Sequence, residues 1–504
     1  MEKTLKALLE RLEYTIVLKG CFTADEEALR LLVPAVVSDD RNLSKGCLFI
    51  CCRITNHNGS DSIGKAIEAG ASVIVTEPGL FKEYLKTAKE KDHKTVVIFT
   101  EDTRYAMAVI YAAWYGYPAE KMKVVGITGT NGKTTTAYML YSILTKAGFK
   151  TGLIGTIECI IGEEHIPSRN TTPEAPILQK MLRDMAQIGT QIVVMEVSSQ
   201  ALLTHRSQGF VFEFGIFTNI GEDHIGNDQC RNFEHYLHCK SLLMQQCRTG
   251  IVNRDDPYVE AILKNHTCKV RSFGLSEQSD LRGTKISFRF IGDAPGVEFE
   301  TAGMHIRMPM PGVYSVYNAL AASQAALELH APKKSIVDAL QTIRVKGRAE
   351  VVRPVSCRKK RYPAVIVDYA HNGMSIRELL KALKAYYSGK VTCVAGAAGV
   401  FCIWRSIGQA CGEFADFTVV TSDNYGEDDP EEIVREMTDG IREMNGAFTV
   451  IPDRREAVRY GVTHADPDDL VVICGRGHEI GLKINGRNLP LPNDIALAQE
   501  AFLF

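Results

Sequence analysis

A glycine-rich loop between an apolar run and a helical pattern is the feature that most constrains this chain. The run Val124-Val125-Gly126-Ile127 leads into Thr128-Gly129-Thr130-Asn131-Gly132-Lys133-Thr134-Thr135-Thr136, and a helical pattern follows from Ala137. A strand, a glycine-rich turn and a helix N-terminus in this order aim backbone N–H groups at an anion. The sequence therefore predicts a phosphate-binding loop on an α/β scaffold.

The residues of this loop can be given separate roles in binding ATP and Mg²⁺. We expect Lys133 to reach the terminal phosphates and the Thr134 hydroxyl to ligate Mg²⁺. Ile127 stands where the strict Walker pattern has its first glycine, so the loop is a variant of that pattern. The predicted nucleotide-binding residues of the loop are Gly129, Thr130, Asn131, Gly132, Lys133, Thr134 and Thr135.

The length and patterning of the chain favour three domains of α/β type. The chain has 504 residues, of which 45% are hydrophobic and 23% charged, the balance of a globular protein with large cores. Short apolar runs alternate with helical patterns, which indicates largely parallel sheets. The patterns separate into three blocks, at residues 1–105, 106–345 and 346–504.

Net charge and hydropathy exclude some classes of partner. The formal charge is −2, so the sequence predicts no general attraction to nucleic acid or to an anionic membrane. No apolar stretch approaches the roughly 18 residues of a membrane span, and the first residues are not those of a signal peptide. The 14 cysteines are scattered, and we interpret them as reduced thiols of a cytoplasmic protein.

A series of motifs, in a fixed order, resembles the Mur ligase family and within it the UDP-N-acetylmuramoyl-tripeptide synthetases. The string T-G-T-N-G-K-T-T is similar to the phosphate loop of these ligases and of folylpolyglutamate synthases. The resemblance covers essentially the whole chain and rests on the motifs Asn170-Thr171-Thr172-Pro173-Glu174, Met195-Glu196-Val197-Ser198-Ser199, Thr218-Asn219-Ile220, Asp223-His224, Lys240, Tyr317-Asn318-Ala319-Leu320, Gly347-Arg348-Ala349-Glu350, Asp368-Tyr369-Ala370-His371, Ser422-Asp423-Asn424 and Gly475-Arg476-Gly477-His478-Glu479.

The resemblance implies an architecture and an activity. Residues 1–105 would form a UDP-sugar-binding domain, 106–345 a central P-loop ATPase domain, and 346–504 a Rossmann-like domain that binds the amino acid. The implied reaction is ATP-dependent and joins a free amino acid, the third of the peptidoglycan stem peptide, to UDP-N-acetylmuramoyl-L-Ala-D-Glu. Amide formation requires an activated carboxylate, here an acyl phosphate, and the negative charge of both steps calls for Mg²⁺ and cations placed in advance.

The resemblance also assigns residues to the metal and the substrates. Glu196 follows the apolar run Ile192–Met195, at the carboxyl end of a predicted strand, where α/β proteins bind ligands. With Thr134, Glu196 and His224 would hold Mg²⁺, and Lys240 would be carbamylated into a carboxylate that supports the metal. Lys133, Glu196, His224 and Lys240 are the expected catalytic residues. Further residues are expected to contact ATP (Asn318, Arg348, Asp368, His371) or the other substrates (Asp40, Arg41, Thr171, Thr172, Ser198, Arg206, Arg405, Asp423, Asn424, Gly475, Glu479).

The chain departs from the family on the side of the amino acid. Family members that add meso-diaminopimelate carry D-N-P-R, whose arginine binds the far carboxylate, whereas this chain has Asp423-Asn424-Tyr425-Gly426. We therefore expect meso-diaminopimelate to be disfavoured relative to lysine or ornithine. The family's G-x-G-G-D-R-D is also replaced, by the largely apolar segment 396–405 with Arg405. Two alternatives stay open: a ligase diverted to another peptide or secondary metabolite, and a non-catalytic nucleotide-binding regulator.

Overall fold

The structure, a computed structural model, describes residues 2–52, 59–87, 94–221, 231–353, 362–398, 401–484 and 487–503. The chain forms two compact units. The first comprises Met1–Val125 and Lys150–Glu213, and the second comprises Gly126–Phe149 and Phe214–Phe504.

The elements follow one another in an α/β order. Up to the phosphate loop they are β1 (Lys3–Thr4), α1 (Leu5–Leu9), β2 (Thr15–Lys19), α2 (Asp25–Leu29), β3 (Leu32–Val33), β4 (Val36–Val37), a 3-10 turn (Asp40–Asn42), β5 (Leu48–Ile50), α3 (Gly59–Glu68), β6 (Val73–Thr76), α4 (Pro78–Thr87), β7 (Val96–Phe99), α5 (Thr103–Trp114), a 3-10 turn (Pro118–Lys121) and β8 (Lys123–Thr128). The middle of the chain contains α6 (Lys133–Lys146), β9 (Thr151–Ile154), β10 (Glu158–Ile161), β11 (Glu164–Pro167), α7 (Ala175–Gln187), β12 (Ile192–Glu196), α8 (Ser199–Leu203), β13 (Phe212–Phe217), α9 (Phe233–Gln245), β14 (Cys247–Asn253), α10 (Val259–Ile262), β15 (Lys269–Gly274), β16 (Leu281–Arg282), β17 (Thr284–Ile291), β18 (Ala294–Thr301), β19 (Met304–Met308), α11 (Val313–Glu328) and α12 (Lys333–Thr342). The last part contains β20 (Glu350–Arg353), β21 (Ala364–Asp368), α13 (Gly373–Lys384), β22 (Val391–Ala395), α14 (Phe401–Phe414), β23 (Phe417–Val420), α15 (Pro430–Glu443), β24 (Phe448–Val450), α16 (Arg454–His464), β25 (Leu470–Cys474), β26 (Leu482–Ile484), β27 (Arg487–Leu489) and α17 (Asp494–Ala501).

The first unit contains a five-stranded sheet in the order β2-β7-β6-β5-β4. Strands β4 to β7 are parallel, and β2 pairs antiparallel with β7 at one edge. Apolar side chains of α1 and α5 pack against one set of strand residues, and those of α3 and α4 against the other. Later in the same unit β12 pairs parallel with β9 and ends at Glu196, so the carboxylate lies at a strand's carboxyl end, as predicted.

The second unit contains the phosphate loop and a six-stranded sheet in the order β20-β21-β25-β22-β23-β24. All its strands are parallel except β20. Helices α13, α14 and α15 contribute to the core on one face, and α16 and α17 to the core on the other. Since Asp368 is in register with Cys474, the ends of β21 and β25 lie side by side, where doubly wound sheets bind ligands.

The sequence prediction of α/β architecture with largely parallel sheets is confirmed. The apolar runs at 124–127, 364–367, 391–394, 417–420 and 470–473 all lie in strands. The three-stranded antiparallel sheet β17-β18-β19 was not predicted. None of the helices in the described ranges is long and apolar enough to cross a membrane, and eleven of the cysteines within those ranges are thiols outside any disulfide.

A buried arginine joins the ends of the strands in the C-terminal sheet. The Arg454 guanidinium donates to both carboxylate oxygens of Asp494, over 2.8 and 2.7 Å, and to the carbonyls of Ser422 and Cys474, over 2.9 and 2.8 Å. Arg454 and Asp494 are almost entirely buried. Asp494 also accepts the Gly477 N–H. This ion pair therefore connects α16 and α17 with the segments that follow β23 and β25.

Replacing Asp494 by alanine should destabilise the protein strongly, because Arg454 would remain buried without its counter-charge. Breaking such a pair costs about 3–5 kcal/mol, and the free energy of unfolding in urea measures it. Glu500→Ala is the control, since Glu500 pairs with Arg455 at the surface and such pairs contribute about 0–1 kcal/mol. Equal losses in the two variants would contradict the structural role given to Arg454 and Asp494.

Candidate nucleotide and amino-acid sites

The phosphate loop is held in shape by close backbone contacts that only glycine permits at two positions. Gly129 and Gly132 have φ of +148° and +86°. A Cβ on Gly129 would lie 1.9 Å from Thr218 Oγ1, and one on Gly132 would lie 2.3 Å from Asn318 Oδ1. Helix α6 starts directly after Gly132 and has no side-chain cap. Its first N–H groups face the loop, which is the geometry of a phosphate cradle.

Neighbouring side chains fix the carbonyl and amide groups of the loop. Thr218 Oγ1 and Asn219 Nδ2 donate to the Asn131 carbonyl over 2.7 and 3.1 Å, while the Asn131 N–H donates to Asn219 Oδ1. Thr130 Oγ1 lies 3.2 Å from the Tyr236 hydroxyl. The backbone conformation of the loop is therefore set by the protein itself.

Two lysines donate to the same carbonyl of the loop. Lys133 Nζ donates to the carbonyls of Gly129 and Thr130 over 2.8 and 2.9 Å, and Lys240 Nζ donates to Gly129 O over 2.8 Å. Lys240 is only 1% exposed and lies 4.4 Å from the centre of the Tyr236 ring. Two ammonium groups thus concentrate positive charge at the loop, which suits a polyphosphate.

Residues from α11 and the beginning of the C-terminal block approach the same loop. Arg348 Nη2 lies 3.4 Å from Thr134 Oγ1, and Thr136 Oγ1 lies 3.4 Å from Asn318 Oδ1. Thr135 is buried beside them. A further contact, 3.5 Å from Asn372 Nδ2 to Asn131 Oδ1, links the loop to the start of α13. The structure therefore brings Asn318 and Arg348, both predicted to contact ATP, to the loop.

Asp368 and His371 lie at the end of β21 and organise the turn that follows it. The Asp368 carboxylate accepts the N–H groups of Ala349 and Ala370 over 2.6 and 2.7 Å. Burial raises the pKa of Asp368, while the nearby Arg348 opposes the rise. His371 Nδ1 is 2.8 Å from the Tyr369 carbonyl, and the Arg348 guanidinium stacks over the Tyr369 ring at 4.3 Å.

Four of the residues predicted to contact the amino acid form one cluster at the carboxyl edge of the C-terminal sheet. Glu479 accepts from the Tyr369 hydroxyl over 2.6 Å and from Asn424 Nδ2 over 2.9 Å. Gly475 has φ +117°, and a Cβ there would be 2.3 Å from Asp423 Oδ2. Burial raises the pKa of Asp423, although Arg454, at 3.9 Å, favours its ionised form. The cluster presents carboxylate and amide oxygens, which suit an ammonium group.

The segment that replaces the family's proline and arginine is held by its backbone. Gly426 has φ +65°, and its N–H donates to Lys483 O over 3.2 Å. The Lys483 N–H donates to Asn424 Oδ1 over 2.9 Å, so the β26–β27 hairpin fixes the orientation of Asn424. Tyr425 is buried in the core between the sheet and helices α13 to α15.

Arg405 is the member of the predicted set that the structure does not bring to this cluster. Its guanidinium pairs with Glu436, over 3.2 Å, and with Glu443, both on α15. These two carboxylates raise the pKa of Arg405. The positive charge of Arg405 is therefore neutralised where α14 packs against α15.

Five predicted residues form a second cluster, in the first unit. Glu196 is fully buried and accepts from Thr156 N and Oγ1 over 2.7 and 2.9 Å, and the Thr156 hydroxyl lies 3.1 Å from that of Thr171. Thr172 Oγ1 donates to Glu196 O over 2.9 Å and accepts the Ser198 N–H over 3.1 Å. An ionised carboxylate has about four acceptor sites, so the bonds from Thr156 are compatible with a cation as a further partner.

Arg206 completes this cluster. It donates to the Thr172 carbonyl over 3.0 Å and pairs with Glu174 over 2.7 Å. Burial lowers the pKa of Arg206, and its Nε has no hydrogen-bond partner among the described residues. A buried guanidinium with an unused N–H suits an anionic ligand.

Asp40 and Arg41, predicted for the nucleotide sugar, lie in a 3-10 turn of the first unit. Asp40 accepts from Ser62 Oγ over 3.2 Å and from Lys65 Nζ over 2.7 Å. Arg41 forms a two-pronged pair with Asp39. The Asp40 carboxylate and the Arg41 guanidinium therefore both have partners within residues 1–105.

The predicted metal ligands can be compared with the structure only in part. His224, with the adjacent Asp223, lies outside the described residues. The described ranges contain no group of three or more His, Cys, Asp or Glu residues that could hold a metal ion. Thr134 and Glu196, an alcohol and a carboxylate, offer the hard oxygen ligands that Mg²⁺ takes.

Sequence reasoning missed several residues that shape these sites. Thr156 binds both carboxylate oxygens of Glu196, Tyr236 packs on Lys240, and Tyr369 binds Glu479. Tyr369 lies inside a recognised motif, which could have pointed to it. Thr156 and Tyr236 carry no local signal, since their contacts come from other parts of the chain.

Two family models match this chain. The Mur ligase middle domain matches residues 127–326, and the Mur ligase, glutamate ligase domain, matches residues 347–477. Together they cover the phosphate loop and most of the C-terminal sheet. The three-domain α/β fold class implied by the sequence resemblance is consistent with both matches.

Curated relatives and solved structures extend the similarity to nearly the full length. The UDP-N-acetylmuramoyl-L-alanyl-D-glutamate--2,6-diaminopimelate ligase of Caldanaerobacter subterraneus subsp. tengcongensis is 36% identical over 461 residues, 91% of this chain and 92% of the relative. Ligase 1 of the same name from Clostridium acetobutylicum is 36% identical, over 88% of this chain and 89% of its own. A solved ligase of that name has a TM-score of 0.67 at 24% identity, with 99% of both chains covered. MurF of Thermotoga maritima in complex with ADP has a TM-score of 0.60 at 18% identity, covering 93% of this chain and 96% of its own.

Gly132→Ala should weaken ATP binding, because its Cβ would displace the buried Asn318 from the loop. Gly148→Ala is a matched control: Gly148 has φ +88° but no atom within 4 Å of a Cβ, so it carries the same backbone strain without the collision. We expect the ATP Kd, measured by calorimetry, to rise about tenfold or more in the first variant. Similar Kd values for the two variants would contradict the close-contact argument.

Proposed function

We propose that this chain, which belongs to the Mur ligase family of ATP-dependent, ADP-forming ligases, adds the third amino acid to UDP-N-acetylmuramoyl-L-Ala-D-Glu in peptidoglycan synthesis. The observation that carries the proposal is that one compact unit contains both a phosphate loop and the Asp423–Glu479 cluster. The curated relatives are named for the same muramoyl dipeptide. ATP, the UDP-activated muramoyl peptide and a free amino acid are the proposed substrates.

The loop and its neighbours would bind the phosphates and stabilise charge during transfer. Lys133 would exchange its bonds with the Gly129 and Thr130 carbonyls for the β,γ-phosphates, and Arg348 would approach from the side of Thr134. Thr134, Glu196 and His224 are the proposed ligands of Mg²⁺, which neutralises phosphate charge when bound. Asn318, Asp368 and His371 are proposed to contact the nucleotide.

Lys240 is proposed to act as a carbamate. Its ammonium now donates to Gly129 O, over 2.8 Å, and carbamylation would replace that donor with a carboxylate. A carboxylate would repel the carbonyl, so the modified side chain would turn away from Gly129 and offer its oxygens to a cation. The lysine is suited to such a role by its position, since it is only 1% exposed and lies at the phosphate loop.

The first unit is proposed to hold the nucleotide sugar and its peptide. Thr171, Thr172, Ser198 and Arg206 support this, because their polar groups are already ordered around Glu196 and Arg206 suits a carboxylate. Asp40 and Arg41 are proposed for the uridine diphosphate. We propose the domain limits 1–105, 106–345 and 346–504, and a reaction that takes place in the cytosol.

The amino acid is the part of the proposal for which residues and relatives point in different directions. The names of the relatives specify 2,6-diaminopimelate, and they do not support the prediction that this acceptor is rejected. The proposal of a monocarboxylate diamine rests on Tyr425 and Gly426, where a guanidinium for a second carboxylate is missing. Glu479 and Asn424 would bind an ammonium group in either case.

A second candidate function is a Mur-type ligase diverted to another peptide or secondary metabolite. The altered sequences at 396–405 and at Tyr425-Gly426 favour it, since both replace motifs that the resemblance assigns to the amino-acid site. Retention of Lys133, Glu196, His224 and Lys240 argues against a third reading, a non-catalytic regulator, which would not need the metal set.

An acceptor panel tests the proposed function. ADP release is measured with ATP, UDP-N-acetylmuramoyl-L-Ala-D-Glu and one amino acid at a time. We expect kcat/KM to be higher for L-lysine or L-ornithine than for meso-diaminopimelate, because an unpaired buried carboxylate costs several kcal/mol. Lys133→Ala should abolish the signal and serves as the blank. Preference for meso-diaminopimelate would overturn the acceptor proposal alone. Rejection of all three amino acids would favour the diverted ligase.

Lys240→Ala should lower kcat by at least about 100-fold, the scale of a lost charge-stabilising group, and short carboxylic acids should restore part of it. Lys146→Ala, at the exposed end of α6, is the control and should retain full activity. Activity of Lys240→Ala equal to that of the unmodified enzyme would rule out the role proposed for the carbamate.

A further inference from the structure

Arg476 is a buried cation to which neither the sequence motifs nor the proposed reaction gives a task. It lies in the segment between β25 and β26 and is 0% exposed. Its Nε and Nη1 have no hydrogen-bond partner among the described residues. Burying an incompletely bonded guanidinium is unfavourable, and an apolar side chain of similar volume would fill the same space without that loss.

The one nitrogen of Arg476 that is hydrogen-bonded holds the backbone next to Glu479. Nη2 donates to Glu479 O over 3.1 Å and to Gly481 O. The Glu479 N–H in turn donates to the Arg476 carbonyl over 2.9 Å. Arg476 and Glu479 therefore close one turn. The Arg476 carbonyl accepts the Glu479 N–H, and the Arg476 side chain donates to the Glu479 carbonyl.

The side chain of Glu479 is fixed independently, by Tyr369 and Asn424. These two donors set where its oxygens lie, whereas Arg476 sets where its backbone lies. Burial lowers the pKa of Arg476, and the Arg454 cation lowers it further, while Asp494, Asp423 and Glu479 oppose the fall.

We propose that Arg476 is a positioning residue for the amino-acid substrate, which acts by fixing the turn that carries Glu479. The proposal rests on the proposed function in one respect, that Glu479 contacts the amine of that substrate. Without the Arg476 side chain the Glu479 carbonyl would lose its donor, and the carboxylate held by Tyr369 and Asn424 would rest on a less constrained turn. A fixed turn keeps the carboxylate in place during binding.

The test compares Arg476→Met with Arg476→Lys and with Arg455→Met, a surface arginine that pairs with Glu500. ADP release is measured with UDP-N-acetylmuramoyl-L-Ala-D-Glu, and binding of L-lysine, L-ornithine and meso-diaminopimelate by calorimetry. For Arg476→Met we expect the KM and Kd of the accepted amino acid to rise at least about tenfold, since small misplacements of a binding group have effects up to about 100-fold. The KM for ATP should stay within about twofold. Arg476→Lys should recover part of the loss, and Arg455→Met should resemble the unmodified protein.

A double-mutant cycle separates positioning from general support of the fold. If Arg476 acts through Glu479, then Arg476→Met added to Glu479→Gln should raise the amino-acid Kd no further. An unchanged Kd in Arg476→Met, a parallel rise for ATP and amino acid, or full additivity in the cycle would each overturn the proposal. If the unmodified protein binds an amino acid but releases no ADP with the muramoyl dipeptide, the proposed function fails while the binding data still decide the role of Arg476.

Discussion

The cluster of Asp423, Asn424, Gly475 and Glu479 depends on the buried Arg454–Asp494 ion pair. Arg454 satisfies the carbonyls of Ser422 and Cys474, the last residues before the Asp423 and Gly475 segments. Because strands end where their carbonyls lose sheet partners, such ends need side-chain donors. The Arg454 guanidinium is this donor at the ends of two strands, and it keeps Asp423 and Gly475 in contact.

The phosphate loop is stabilised in a different way. Its shape depends more on the close approach of its backbone to neighbouring side chains than on ion pairs. Gly129 and Gly132 let the loop lie against Thr218 and Asn318, and Thr218 with Asn219 fixes the Asn131 peptide. The Asn372–Asn131 and Arg348–Thr134 contacts then connect this loop with the C-terminal block. Within the second unit, ATP and the amino acid would thus be bound by elements that already contact one another.

Local patterns were sufficient to predict part of this structure. The phosphate loop and the parallel strands carry their signal in consecutive residues, as at Val124–Ile127. The ordered motifs pointed to Asn318, Arg348 and Glu479, which the structure places at the loop and in the C-terminal cluster. The sheet β17-β18-β19 was missed although Ile286, Phe288 and Phe290 alternate with polar residues, as in a half-exposed strand. Arg454 and Arg476 were missed because a buried arginine has the same appearance in sequence as an exposed one. Arg405 was assigned to the substrate, yet its partners are set by the packing of α14 on α15.

The hydrogen bonds between the β26–β27 hairpin and the segment after β23 have a consequence for how the substrate preference of this enzyme could change in evolution. Lys483 holds Asn424 and Gly426 through main-chain N–H and carbonyl groups, and those groups are present whatever side chains the neighbouring positions carry. A side chain at position 426, where a Cβ would meet no atom within 4 Å, can therefore alter the shape and charge offered to a substrate while the amide of Asn424 stays in register with Glu479. In such a loop the position that sets substrate preference can change separately from the groups that would bind the amine.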